Sequence, residues 1–118
     1  MHIKNERKTP DFLSLSGQEL MQVLILHRLE FNEFRQQHPG WLPDLGNAQA
    51  RGVNLEEIDF SRLDLSRVSL QEALLSNANL RCAKLGQGNL HKARLTGTKI
   101  CKNQLSQLAT ALGLVVEK

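Results

Sequence analysis

From Leu55 to Ile100 an apolar residue falls at every fifth position: Leu55, Phe60, Leu65, Leu70, Leu75, Leu80, Leu85, Leu90, Leu95 and Ile100. Two positions before each lies a second row, Val53, Ile58, Leu63 and Val68, then Ala73, Ala78, Ala83, Gly88, Ala93 and Thr98. A period of five suits neither ordinary element. On an α-helix five residues advance about 500°, which carries the row around the cylinder. On a strand an odd period sends successive leucines to opposite faces. A chain that turns a corner every five residues keeps both rows inward and leaves three positions in each pentad facing water. Four corners close a coil of twenty residues, and stacked coils bury a core that one coil cannot bury alone.

The residues outside this run predict the ends. Ser16 followed by Glu19 is a capping-box pattern opening one long helix to Gln37, before Pro39-Gly40 stops it. Leu20, Val23, Leu24, Phe31 and Phe34 share a face that would lid the first coil. In the first two turns, Leu20, Met21 and Val23 to Leu26 leave only Gln22 for water, so Met21, Ile25 and Leu26 are candidates for an apolar partner or homodimer surface. Trp41 and Leu42 would plug the joint between helix and coil. Leu105, Leu108, Ala109 and Leu112 have helical spacing, Gly113 suits a helix end, and Leu114-Val115-Val116 reads as a last strand. The expected organisation is a flexible tail over 1–15, a helix and capping segment over 16–44, the coil over 45–105 and a cap over 106–118.

The pentads Ala78-Asn79-Leu80-Arg81-Cys82 and Gly88-Asn89-Leu90-His91-Lys92 resemble the motif of the pentapeptide repeat proteins: a small residue, Asp or Asn, Leu, then two polar residues. The resemblance implies an all-β solenoid, a right-handed quadrilateral β-helix of about three coils here, with terminal helices as caps. It also implies a non-catalytic protein-binding or scaffold role, as a regulator or as an effector exported by intracellular bacteria. Some members of that family mimic DNA against topoisomerase. This chain is a poor candidate for mimicry, because three coils stack to only about 15 Å and its net charge is +3.

That net charge hides an asymmetry. Residues 53–72 hold Glu56, Glu57, Asp59, Asp64 and Glu72 against Arg62 and Arg67, whereas residues 73–103 hold Arg81, Lys84, Lys92, Arg94, Lys99 and Lys102 and no acid. The basic half offers an anionic interface and makes nucleic-acid binding the rival reading, with a salt-steep affinity. Tyr is absent and no aromatic belongs to the outward positions of that half, which removes base stacking. Residues twenty apart should stack, making ion-pair neighbours of Glu72 with Lys92 and of Asp64 with Lys84.

Candidate chemistry is sparse. Cys82 and Cys101, nineteen apart, fall diagonally on one wall and are read as free thiols in preference to a redox pair or zinc ligands. His91 belongs to the opposite wall, and His27 reads as structural. No glycine-rich phosphate loop or paired-acid cleft is present, and a filled tower has no substrate cavity, so the expectation is no enzyme, no cofactor, no metal and no small-molecule substrate. With no leader-like segment and no run long enough to span a bilayer, the chain reads as a cytoplasmic protein without a membrane partner.

Overall fold

The computed structural model describes residues 9–115. Its regular elements are α1 (Gly17–Leu26), α2 (Arg28–Gln37), β1 (Asp64–Leu65), β2 (Lys84–Leu85) and α3 (Leu105–Ala111), with 3-10 turns at Phe12–Ser14 and Lys102–Gln104. The strands are only two residues long, yet the parallel pairing is extensive. β1 pairs with β2 as Asp64 with Lys84 and Leu65 with Leu85. Single bridges join Gln49 to Ser69, Asn54 to Leu74, Asp59 to Asn79, Leu74 to Arg94 and Asn79 to Lys99. Every pair is twenty residues apart, and the pairs fall into four columns five residues apart. Each wall is too short for a longer strand because the chain turns at every pentad.

Two local devices make the corners. The first is a hydrogen-bonded turn from most inward apolar residues to the position three later, as in Ile58 N–H to Leu55 O at 3.1 Å and Ala78 N–H to Leu75 O at 3.0 Å; at Leu85 the Gly88 N–H bonds Thr110 instead. The second central residue has positive φ at Asn47, Gly52, Glu57, Arg62, Glu72, Asn77, Cys82, Lys92 and Gly97, the signature of a type II turn. Arg67, on the corner that follows β1, is not among them. The Asp or Asn preceding the central residue locks several turns by accepting the N–H two residues on: Asn54 from Glu56, Asp59 from Ser61, Asp64 from Ser66 and Asn79 from Arg81. Asn89 departs from this pattern. It is buried, and its amide donates to the Leu65 and Val68 carbonyls at 2.7 and 3.1 Å. Nearby, Gly86 packs so closely on Ser66 that a Cβ would overlap the Ser66 carbonyl oxygen.

The inward rows form the core. Leu55, Phe60, Leu65, Leu70, Leu75, Leu80 and Leu90 are buried, as are Ile58, Leu63, Val68, Ala73, Ala78 and Ala83 from the second row. Leu85, Leu95 and Ile100 are only partly covered, since few residues stack beyond them. The described coil begins near Asn47, whose N–H bonds the Arg67 carbonyl. At the far end α3 stands in for a further coil: Gly88 and Leu90 donate to the carbonyls of Thr110 and Ala111.

Four expectations about the amino-terminal end change. The amino-terminal helix is two helices, broken at His27 (φ −135°, ψ 49°), because the edge it covers turns a corner that a straight helix cannot follow. Ser16 makes no side-chain capping bond; instead Gly17 N–H bonds the Asp44 carbonyl at 2.8 Å. The segment read as a flexible tail holds Phe12 fully buried among Phe31, Phe34 and Trp41, with centroids 5.4–6.2 Å away. Residues 1–8 lie outside the described residues. Phe60 joins this cluster through Phe31, so all five aromatic rings of the chain meet at the base of the coil. Trp41 is part of the plug, but Leu42 is 55% exposed.

The carboxy-terminal strand also differs. Gly113 (φ 85°) closes α3 with the paired bonds of a Schellman motif, Leu114 N–H to Ala109 O and Gly113 N–H to Thr110 O. Leu114 and Val115 then stand exposed, with no ladder partner among the described residues; Val116 lies outside them.

Candidate functional site

The first coil has one edge with no coil beyond it, and backbone groups there must find other partners. Single side chains from α1 and α2 supply them. The Gln18 amide donates to the Gln49 carbonyl at 3.2 Å and accepts the Gln49 N–H at 2.7 Å, reproducing a strand pairing with one side chain. Asn32 does the same with the Glu57 carbonyl and the Asp59 N–H, both at 2.8 Å. Arg28 donates to the carbonyls of Ile25, Asn54 and Glu56. Arg35 donates to those of Asp59 and Ser61 at 3.0 Å each. Arg35 is 4% exposed; burial lowers its pKa and the nearby Asp59 carboxylate, 3.5 Å away, opposes that shift.

This arrangement decides what the amino-terminal end presents. Met21 is fully buried and cannot form part of a surface, because the break at His27 lets α1 pack its Leu20-Met21-Leu24 side onto the core. Ile25 is half-buried and packs against the core, whereas Leu26 is 80% exposed. Beside it stands Leu29, 68% exposed, which sequence reasoning did not single out. Its signal was an i,i+3 spacing from Leu26, which places the two on one side of a helix. Ile25, Leu26 and Leu29 border an open groove of about 410 Å³ whose remaining walls are Arg28, Glu30, Asn32, Glu56 and Glu57. The Arg28 guanidinium is turned toward backbone carbonyls and keeps its charge, so three glutamates against one arginine leave the groove net acidic.

All six candidate bases are exposed, but the structure does not gather them. Arg94 extends the column of Asn54 and Leu74, Lys99 that of Asp59 and Asn79, and Lys84 faces Asp64. Arg81 lies beside Arg62 and Lys92 is on the wall of Glu72, whose N–H bonds the His91 carbonyl. Lys102 is in the 3-10 turn ahead of α3. Glu72 pairs not with Lys92 but bidentately with Arg51, at 3.1 and 3.2 Å, and that guanidinium holds the Glu72 carboxyl below the usual carboxylate range.

Among the described residues no group of three or more His, Cys, Asp or Glu side chains could hold a metal ion. No helix among them is long and apolar enough to cross a membrane.

A family model described as pentapeptide repeats matches the chain with eight copies, over residues 44–81 and 58–97. No curated protein and no solved structure matches. The matched residues are those that carry the inward rows, the corners and the register of twenty, and residues 44–97 are a run of pentapeptide repeats.

Proposed function

We propose that this chain is a non-catalytic protein-binding module, built as a right-handed quadrilateral β-helix, that docks a partner on its amino-terminal end. The observation that carries this reading is the pair Leu26 and Leu29, exposed side by side on a groove rimmed by Glu30, Glu56 and Glu57. An apolar centre with a charged rim is the anatomy of a specific interface. The partner that fits presents leucine-sized apolar side chains flanked by Lys or Arg. The side chains that line the groove also tie α2 to the coil edge, so little ordering cost opposes docking. Among the described residues the hollows of about 410 and 430 Å³ are open grooves, a shape that favours docking over enclosing a small substrate.

The rival reading, nucleic-acid binding through the basic half, draws on six exposed bases, but their spread over several columns gives a strand no continuous track. Capture from lysate of the native cell, run with and without nuclease, separates the two. The module reading expects a protein partner that survives nuclease and high salt. Recovery that needs nuclease-sensitive material and collapses log-linearly with salt assigns the work to the basic half.

A further inference from the structure

The thiols of Cys82 and Cys101 stand with their sulfur atoms 3.0 Å apart, unbridged, on adjacent coils. That is closer than two sulfurs ordinarily approach without a bond. Their backbones are held by one side chain. The Oε1 of Gln104 accepts the N–H of Cys82 at 3.0 Å and that of Cys101 at 2.6 Å. Its Nε2 donates to the carbonyls of Leu80 and Ala83 at 2.8 and 2.9 Å, and the residue is 2% exposed. The pair is thus fixed in place by a buried clamp, not brought together by a surface loop. Cys82 is exposed and borders a second groove, with Leu42, Pro43, Arg62 and Lys84 among its neighbours. Cys101 is the more covered of the two.

We infer that Cys82 and Cys101 form a reversible thiol–disulfide site that exchanges with low-molecular-weight disulfides of the glutathione class, closing a bridge that locks the carboxy-terminal cap to the coil before it. The inference does not depend on the partner-binding reading. The Cys82 thiolate attacks one sulfur of oxidised glutathione; that disulfide breaks, and the departing glutathione thiolate takes up a proton. Cys101 then attacks the Cys82 sulfur of the mixed disulfide and releases the second glutathione. Two protein thiols are oxidised to one disulfide, and one external disulfide is reduced to two thiols. Sharing of hydrogen with Cys101 raises the Cys82 pKa above the ordinary thiol value, burial and Cys101 charge add to this, and Arg62 opposes it. The first exchange is therefore slow at neutral pH, on the scale of minutes to hours.

The test equilibrates the full chain in mixtures of oxidised and reduced glutathione, quenches with an alkylating agent and reads the mass. The expected product is a monomer lighter by two hydrogens, carrying no glutathione and no alkyl group. Its thermal midpoint should lie about 10 °C above that of the reduced chain, and a dithiol reductant should reverse both changes. Cys101→Ser should stop at the mixed disulfide, with one glutathione retained on Cys82. A stable glutathione adduct on the unsubstituted chain, dimers linked between chains, or two thiols that remain alkylatable in fully oxidised glutathione would each overturn the inference. The unsubstituted chain alone decides the matter should the variant fail to fold.

Discussion

Replacing Gln104 with Ala tests whether single amides really stand in for missing coils. The side chain satisfies four backbone groups at once: the N–H groups of Cys82 and Cys101 and the carbonyls of Leu80 and Ala83. The carbonyls belong to residues 0% and 1% exposed, so truncation leaves them without water, at about 1–3 kcal/mol each. The two N–H groups lie on more exposed residues and recover solvent. The expected loss is about 3–5 kcal/mol, a large share of the roughly 5–15 kcal/mol that holds a domain of this size. Urea unfolding followed by circular dichroism should show this as a lower midpoint, and amide exchange at Cys82 and Cys101 should quicken. Gln104→Glu sharpens the test. Its second oxygen would face the Leu80 and Ala83 carbonyls as an acceptor, raising the folded pKa of that carboxyl above its unfolded value. Stability should then be present below the ordinary carboxylate pKa and be lost as pH rises through the raised one. A loss below about 1 kcal/mol for Gln104→Ala would refute the reasoning, since ordinary surface substitutions reach nearly that much.

Gly86→Ala should destabilise by about 1–3 kcal/mol in the same urea assay, because the new Cβ meets the Ser66 carbonyl and the backbone must shift. Glu57→Val should lose about 1–2 kcal/mol in thermal melts, since a β-branched residue is strained at φ 64°, while Glu57→Gly should change stability by less than about 0.5 kcal/mol. Asp64 is held below the usual carboxylate range first by the Ser66 hydroxyl, then by the Ser66 N–H, with Lys84 and Arg67 adding smaller pulls. Its contribution is present above the ordinary carboxylate pKa and lost as pH falls through the lowered one. The exposed site limits it to under about 1 kcal/mol, and Asp64→Asn should remove it from a pH series of urea midpoints.

The repeat was legible because it is periodic: the leucine row, the register of twenty and the need to cover both ends follow from spacing alone. What stayed hidden is carried by residues that occur once. Gln18, Asn32, Arg28, Arg35 and Gln104 complete the edges by individual hydrogen bonds, and no periodicity marks them. The left-handed corners were signalled only in part, by Gly52, Gly97, Asn47 and Asn77; Glu57, Arg62, Glu72, Cys82 and Lys92 take the same conformation against their own preference. The groove depended on the break at His27, which no glycine or proline announces. The face through Leu20, Leu24 and Phe31 left Met21 off the core, where the structure buries it, and Leu29, on the far side of the same helical phase, went unremarked although the structure exposes it. Phe12 was lost among charged neighbours because its partners Phe31, Phe34 and Trp41 are distant in sequence. The cysteines were legible as diagonal neighbours, but not the glutamine that clamps them.

The most direct measurement is the ratio of partner recovered by the natural chain to that recovered by a Leu26→Glu, Leu29→Glu double variant, in nuclease-treated lysate at high salt. Both leucines are exposed, so the variant should fold, as circular dichroism and an unchanged melting midpoint would confirm. The account predicts at least a tenfold fall in recovery, the loss of two apolar anchors at about 1 kcal/mol or more each. Equal recovery by the folded variant would contradict it, and would move the working surface away from the amino-terminal end.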